Sequence, residues 1–386
     1  MAIECKDIPS EMQLLCSSAC PHIDTLSQPL RWSAFQEIRE LAQPTIDWPR
    51  LIELAVAHGV LPLLYKNLTL AAPQRIESPL NRIKQLCKLN TIRNLKLAQE
   101  LKFVLQLLAE NSILAVSFKG PSLAVLAYGN ISLRQFSDLD ILIREQDFLA
   151  ARRCLLSNQY LPIRSSGERE DVFDSRRDLA QIKTLGECSF QRRDSAVSLD
   201  VHCRLVTGKF PISTADLNVF WSDIQPLAVL DSQVETFCPE DLLLYLCIHG
   251  AKDFWRKLIW LCDVAALVES HPQLDWQKVV EQARRLECEP MLWLGLLLAE
   301  EILGVVLPGA IAQNIEDSFT KKPLLARIQK RLLKGEMPQE VKHFYLERFY
   351  FYGQMQRTPG MQLSYYLRYA PVFIKAWLFN RIKKEI

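Results

Sequence analysis

The 386 residues are 49% hydrophobic and 23% charged, the make-up of an ordinary globular protein long enough to hold two or three domains. A net charge of +2, from 46 basic against 44 acidic residues, gives no global electrostatic case for a nucleic-acid binder and leaves room only for a local patch. The eleven cysteines are scattered without a Cys-x-x-Cys. The nearest approach to a metal pattern, Cys16, Cys20 and His22, lacks zinc-site spacing, so the thiols read as free and the compartment as a reducing cytoplasm.

The N-terminal MAIECKDIPSEMQ lacks the basic flank and apolar core of a signal peptide. Short helices over 9–19 and 30–42 are expected in a weakly structured first segment. Asp47 reads as the N-cap of a helix running to Ala57, with Trp48 and Pro49 in its first turn and His58-Gly59 ending it. Residues 61–68 continue helically. From about 79 to 110 the apolar positions Ile83, Leu86, Leu97, Leu101, Val104 and Leu108 follow helical spacing, and Asn111-Ser112 breaks the run.

A short strand is predicted over 114–118, then a turn at Lys119-Gly120-Pro121, a helical run over 122–128, a loop through Arg134, and a second strand over 138–143. Strand side chains alternate faces, so Asp138 and Asp140 point one way and Leu139, Ile141 and Ile143 the other. Two carboxylates about 6–7 Å apart along a strand repel unless a cation lies between them, and Mg²⁺, which takes oxygen ligands, is the usual one. The stretch SLDVHCRL over 198–205 alternates too, with Asp200 and His202 on its polar face. If it lies beside the first carboxylate strand, Asp200 joins Asp138 and Asp140 in the kind of cluster that two-metal phosphoryl or nucleotidyl transfer needs. Lys119-Gly120, between a strand and a helix, reads either as a phosphate-contacting turn or as a plain connection. Ser122 is either a further hydroxyl for that site or a helix cap. Arg134 either neutralises phosphate or pairs with a sheet carboxylate. His202 is a hydrogen-bond partner of Asp200 or an outward polar residue.

Beyond Ile143, a helix over 145–157 precedes strands over 160–164, 179–183 and 187–192, with the polar insertion 165–178 as a solvated connection or a lid. From Pro239 the chain reads as helical: 240–250, 255–269, 275–286, 290–303, 322–334, 339–355 and 362–386. The apolar run 291–311 carries Glu300-Glu301 at its middle and Pro308 near its end, which makes it a buried amphipathic helix and not a membrane span. The last segment carries Arg368, Lys375, Arg381, Lys383 and Lys384 against Glu385. It is either a helix docked on its own domain or a weak contact for a membrane surface or acidic partner. The expected fold class is α+β: a small mixed sheet over 111–235, flanked by an N-terminal helical region, 1–110, and a C-terminal helical domain, 236–386.

The order of these motifs, a glycine turn and helix, Asp-x-Asp on a strand and a lone Asp on a later strand, resembles the DNA polymerase beta-like nucleotidyltransferase superfamily. The wording is closer to a bacterial family known mainly as uncharacterised nucleotidyltransferases. The residues that carry it are Lys119-Gly120, Arg134, Asp138-Leu139-Asp140 and Leu199-Asp200-Val201-His202, supported by Asp47-Trp48, Ala57-His58-Gly59-Val60, His249 and Trp260-Leu261-Cys262-Asp263. It covers roughly Trp48 to Pro308. Where many superfamily members carry Gly-Ser or Gly-Gly after the first strand, this chain has Lys119-Gly120-Pro121-Ser122. The resemblance implies an Mg²⁺-dependent enzyme with two ions that moves a nucleoside monophosphate from an NTP to a hydroxyl acceptor and releases pyrophosphate. Asp138, Asp140 and Asp200 would hold the ions, with Asp200 also helping to deprotonate the acceptor. Lys119, Gly120, Ser122 and Arg134 would hold the triphosphate, with His202 in support, and His249 would meet a base or acceptor or simply pack in its helix. The acceptor stays open among a small molecule, a protein and an RNA end. A non-catalytic nucleotide-sensing or partner-docking module on the same fold is the alternative reading, and a toxin-like modifying enzyme a third.

Overall fold

In a computed structural model the chain is described over residues 8–24, 28–71, 76–163, 180, 182–193, 197–206, 212, 217–318, 322–337, 344–356 and 358–385. Four helices open it: α1 Ser10–Ser17, α2 Gln28–Leu41, α3 Trp48–His58 and α4 Leu61–Ala71. The 34-residue α5, Glu77–Glu110, leads into the strands. These follow as β1 Ala115–Ser117, α6 Gly120–Tyr128, β2 Asp138–Ile143, α7 Phe148–Ser157, β3 Tyr160–Pro162, β4 Glu187–Arg192 and β5 Ser198–His202. A hairpin comes next, β6 Ile224–Val229 and β7 Ser232–Phe237. The remainder is helical: α8 Pro239–Lys252, α9 Leu258–Ser270, α10 Trp276–Arg285, α11 Glu289–Leu303, α12 Gly309–Ser318, α13 Lys322–Leu333, α14 Phe344–Gln354 and α15 Pro359–Glu385. The class is therefore α+β, a mixed five-stranded sheet and a small hairpin sheet with helices at both ends of the chain.

The chain divides into two compact units. One comprises residues 1–84, 210–213 and 243–386; the other comprises 85–209 and 214–242. The second holds the sheet, in the order β1-β2-β5-β4-β3. β2 and β5 run parallel; every other neighbouring pair in the sheet is antiparallel. One face is apolar. Leu139, Ile141, Ile143, Leu199, Val201, Cys188 and Phe190 are buried there with Leu101, Val104 and Leu108 of α5 and Phe148, Ala151 and Leu155 of α7. Burying this face drives the sheet onto the two helices and leaves the alternate residues for the opposite face.

In the first unit, Asp47 caps α3 by accepting from the Arg50 amide at 3.0 Å. Gly59 ends that helix in the left-handed conformation at φ +76°. His58 is buried, and its Nδ1 accepts from the Leu258 amide at 3.2 Å at the start of α9. Burial, with Lys257 nearby, lowers its pKa to about 4 and keeps the ring neutral for that role.

Several boundaries differ from the sequence reading. Residues 182 and 183, expected in a strand over 179–183, lie in a helical run over 182–185. The β6–β7 hairpin was not anticipated; its turn uses Leu230 at φ +53°, a conformation no sequence rule assigns to leucine. The apolar run 291–311 is not one helix, because Gly304 at φ +73° ends α11. Helix α9 starts at Leu258 and not at 255, because Phe254 and Trp255 both take left-handed conformations. The insertion 165–178 lies outside the described residues. All ten described cysteines are free, and among the described residues no helix is long and apolar enough to cross a membrane.

Candidate active site

The polar face of the sheet is built by register. In the parallel pair Asp138 lies opposite Ser198, Asp140 opposite Asp200 and Leu142 opposite His202. On the other side of β5, Ser189 lies opposite Asp200 and Glu187 opposite His202. Alternation thus places Asp138, Asp140, Asp200, His202, Ser189 and Glu187 on one face of three adjacent strands.

The face is largely dry and its charges act on each other. Asp140 is 6% exposed and His202 5%. Burial raises the Asp138 carboxyl, and Asp140 adds to the rise; Lys119 and Arg134 pull it back. Burial likewise lifts Asp200 to about 6, with a hydrogen bond from Ser189 opposing and the charge of Asp140 reinforcing the rise. Asp200 Oδ1 is buried with no hydrogen-bond partner. A buried carboxylate oxygen without a donor is costly, and it fits a site that a cation completes.

Two basic side chains converge on Asp140. Lys119 Nζ lies 3.4 Å from Asp140 Oδ1, and His202 Nε2 lies 3.1 Å from the same oxygen. His202 thus reaches Asp140, one rung back along the neighbouring strand, as its partner by contact. Its Nδ1 lies 3.2 Å from Glu187 Oε2, forming a line Glu187–His202–Asp140 across β4, β5 and β2. Phe118 stands edge-on to the imidazole at 5.4 Å and stacks on Phe237 at 5.4 Å, walling this end of the face.

The turn before α6 has a steric reason for its glycine. Gly120 has φ +53°, and a Cβ there would sit 3.3 Å from the Asp138 carbonyl oxygen. The backbone of the turn therefore runs close alongside the start of β2. Ser122 is fully buried, and its hydroxyl bonds Ser117 Oγ at 2.7 Å, so it braces the turn from within and neither caps the helix nor faces outward. Arg134 is 7% exposed and carries its charge toward Asp138. Its loop is held by the fully buried Asn94 of α5, whose amide donates to the Ile131 and Arg134 carbonyls at 2.7 and 2.8 Å.

His249 belongs to the first unit. It stacks on Tyr245 at 5.9 Å, meets Trp260 edge-on at 5.5 Å and has Asp253 at 3.9 Å. These contacts are those of a packed helix histidine.

Sequence reasoning missed Glu187, Ser189 and Asn94. Glu187 and Ser189 alternate with the buried Cys188 and Phe190, a pattern visible in the sequence, but their place beside Asp200 and His202 depends on strand order. Asn94 carries no sequence mark apart from a polar residue in an otherwise apolar stripe. Among the described residues, the one group of three potential metal-ligand atoms within 4.8 Å of each other lies elsewhere, at Asp223, Cys238 and Asp241 beside the hairpin. No such trio forms at Asp138, Asp140 and Asp200, where Lys119 and His202 approach Asp140.

A search of curated proteins gives no match. The family described as uncharacterised nucleotidyltransferase matches residues 44–304, well over half of the chain, and spans both carboxylate strands and the turn that precedes them. The chain belongs to that uncharacterised nucleotidyltransferase family.

Proposed function

We propose that the protein is an Mg²⁺-dependent nucleotidyltransferase that uses the face of Asp138, Asp140 and Asp200 to join an NMP to a hydroxyl acceptor. The observation that carries this reading is the pairing of Asp140 with Asp200 on adjacent parallel strands, with Asp138 on the same face. Three carboxylates on one largely buried face repel one another, and nucleotidyl transfer, the activity for which the family is named, generally uses divalent ions. Asp138, Asp140 and Asp200 are the residues that would hold Mg²⁺, which when bound neutralises triphosphate charge and lowers the barrier to attack at phosphorus.

The chain's own groups have separable tasks. Lys119 places a positive charge beside Asp140, and Gly120 opens the backbone at the N-terminus of α6, where anions are favoured. Arg134, fixed by Asn94, adds charge at Asp138. His202 contacts Asp140 through Nε2 and would help to orient it, and Glu187 lies near the ring's other nitrogen. Asp200, on the same face as Asp140, would take the proton of the acceptor hydroxyl. In that step the acceptor oxygen bonds to the α-phosphorus, the bond from that phosphorus to the bridging oxygen breaks, and the electron pair leaves with pyrophosphate. Ser122 has a structural part only, in the Ser117 contact.

Calorimetry with each of the four NTPs tests the proposal, on the wild type and on Asp140→Asn, with and without Mg²⁺. Expected is Mg²⁺-dependent binding of at least one NTP that disappears in the variant. A folded wild type that binds none of them would refute the nucleotide site and leave a partner-docking role for this fold.

A further inference from the structure

Two residues beyond the last rung of the parallel pair, Leu142 with His202, come Arg144 and Arg204. Both line a cavity of about 320 Å³, together with Leu142, Cys203, Asn218 and Trp221. The Arg144 guanidinium lies 4.1 Å over the Trp221 ring and within 3.5 Å of Asn218 Oδ1; it makes no ion pair with any described residue. Arg204 is held by Glu145, through Nε at 3.1 Å and Nη2 at 2.8 Å. Its backbone is pinned as well, since Cys203 and Arg204 both donate their amides to the Gly186 carbonyl. Two guanidinium groups thus line one cavity against one carboxylate, and both are fixed before any ligand arrives. Like charges placed side by side on neighbouring strands are unfavourable by themselves and become favourable when a dianion bridges them. Pre-oriented guanidinium forks match the oxygens of carboxylates and phosphates, and the dianionic charge of a phosphomonoester suits two of them.

The Lys119–Gly120 turn lies against the start of β2, at Asp138. The arginine cavity lies past its other end, four residues and roughly 13 Å beyond Asp140 at ~3.3 Å per residue. We infer that this cavity is a phosphomonoester-binding site separate from the carboxylate face, beyond the wall of Phe118 and Phe237, with Trp221 and Leu142 covering an apolar or planar part of the ligand.

The test uses the full chain and phenyl phosphate, a phosphomonoester with a ring, followed by calorimetry. Expected is binding that weakens about tenfold in Arg144→Ala, as for loss of a charged hydrogen bond, and that is partly restored in Arg144→Lys. Trp221→Leu is expected to weaken it while leaving the circular dichroism spectrum unchanged. Binding should be the same with and without a saturating Mg·NTP, and the same in Asp140→Asn. Absence of binding at millimolar concentration, or succinate binding equally well, would overturn the phosphate assignment. Competition with Mg·NTP, or loss of binding in Lys119→Ala but not in Arg144→Ala, would show that the phosphate enters the triphosphate site and overturn its assignment to this cavity.

Discussion

Three carboxylates gathered on one largely buried face are costly without a cation between them, and Asp200 shows the cost. Its carboxyl, ordinarily at 3.8, is lifted to about 6 in the fold. The folded state therefore holds the proton more tightly than the unfolded chain does. That contribution to stability is complete below about pH 3.8 and is lost as the pH rises through about 6. Asp200→Asn escapes the loss, so without divalent ions at about pH 7.5 it should be more stable than wild type by on the order of 1–2 kcal/mol, after allowance for solvent screening. Denaturant melts at a series of pH values should show the gap closing toward about pH 4. Adding Mg²⁺ should raise the melting temperature of the wild type and not of the variant. At His202 the expectation is different. His202→Asn removes the imidazole between Asp140 and Glu187 and should weaken Mg·NTP binding by about 10–100-fold, the usual effect of losing a group that orients a ligand. Glu187→Gln should weaken it less. Unchanged affinity in both would mean that Asp140 is oriented by Lys119 alone.

At the scale of elements, the site depends on a short strand, a left-handed glycine and a buried asparagine. Helix α6 begins at a residue with φ +53° that has the Asp138 carbonyl 3.3 Å from its missing Cβ. Gly120→Ala should therefore cost about 1–2 kcal/mol in backbone strain and push the turn away from β2, so that NTP affinity falls with stability. Chemical denaturation and calorimetry on the same variant measure both. Asn94→Ala would release the 131–134 loop from α5; a loss of about 1–3 kcal/mol is expected for two carbonyls deprived of their donors. Much at this scale was legible in the sequence. Asp138, Asp140 and Asp200 were placed by alternation, the long helix by its apolar spacing, and the Asp47 cap by residue type. Alternation also carries Glu187 and Ser189, yet it does not say which strand becomes their neighbour.

Across the whole molecule, the two units draw on the chain differently. The sheet unit is nearly continuous, from 85 to 242, while the helical unit combines the first 84 residues with those from 243 onward. Within the helical unit the buried Trp255 is packed against two glycines, Gly250 of α8 and Gly295 of α11. A Cβ at Gly250 would come within 2.4–2.6 Å of the Trp255 ring, and one at Gly295 within 2.9–3.0 Å. The ring is buried and held in a left-handed turn at φ +52°, so it has little room to move. Gly250→Ala should destabilise this unit by about 3 kcal/mol or more, at the upper end of overpacking costs, and Gly295→Ala by less. Thermal unfolding of both variants measures the order; equal or negligible losses would mean that the ring can relocate.

Sequence by itself determined many of the local choices in this protein: the long helix, the two carboxylate strands and the polar face of each, and which residue types stand ready for phosphate and cation chemistry. Those follow from periodicity, caps and alternation, which act over a few residues. Tertiary structure decided which strands lie side by side. The parallel register sets Asp140 against Asp200, brings His202 to Asp140, and collects Arg144 and Arg204 around one cavity. Register is set by burial of the apolar face against α5 and α7, a long-range requirement that no short window of sequence contains.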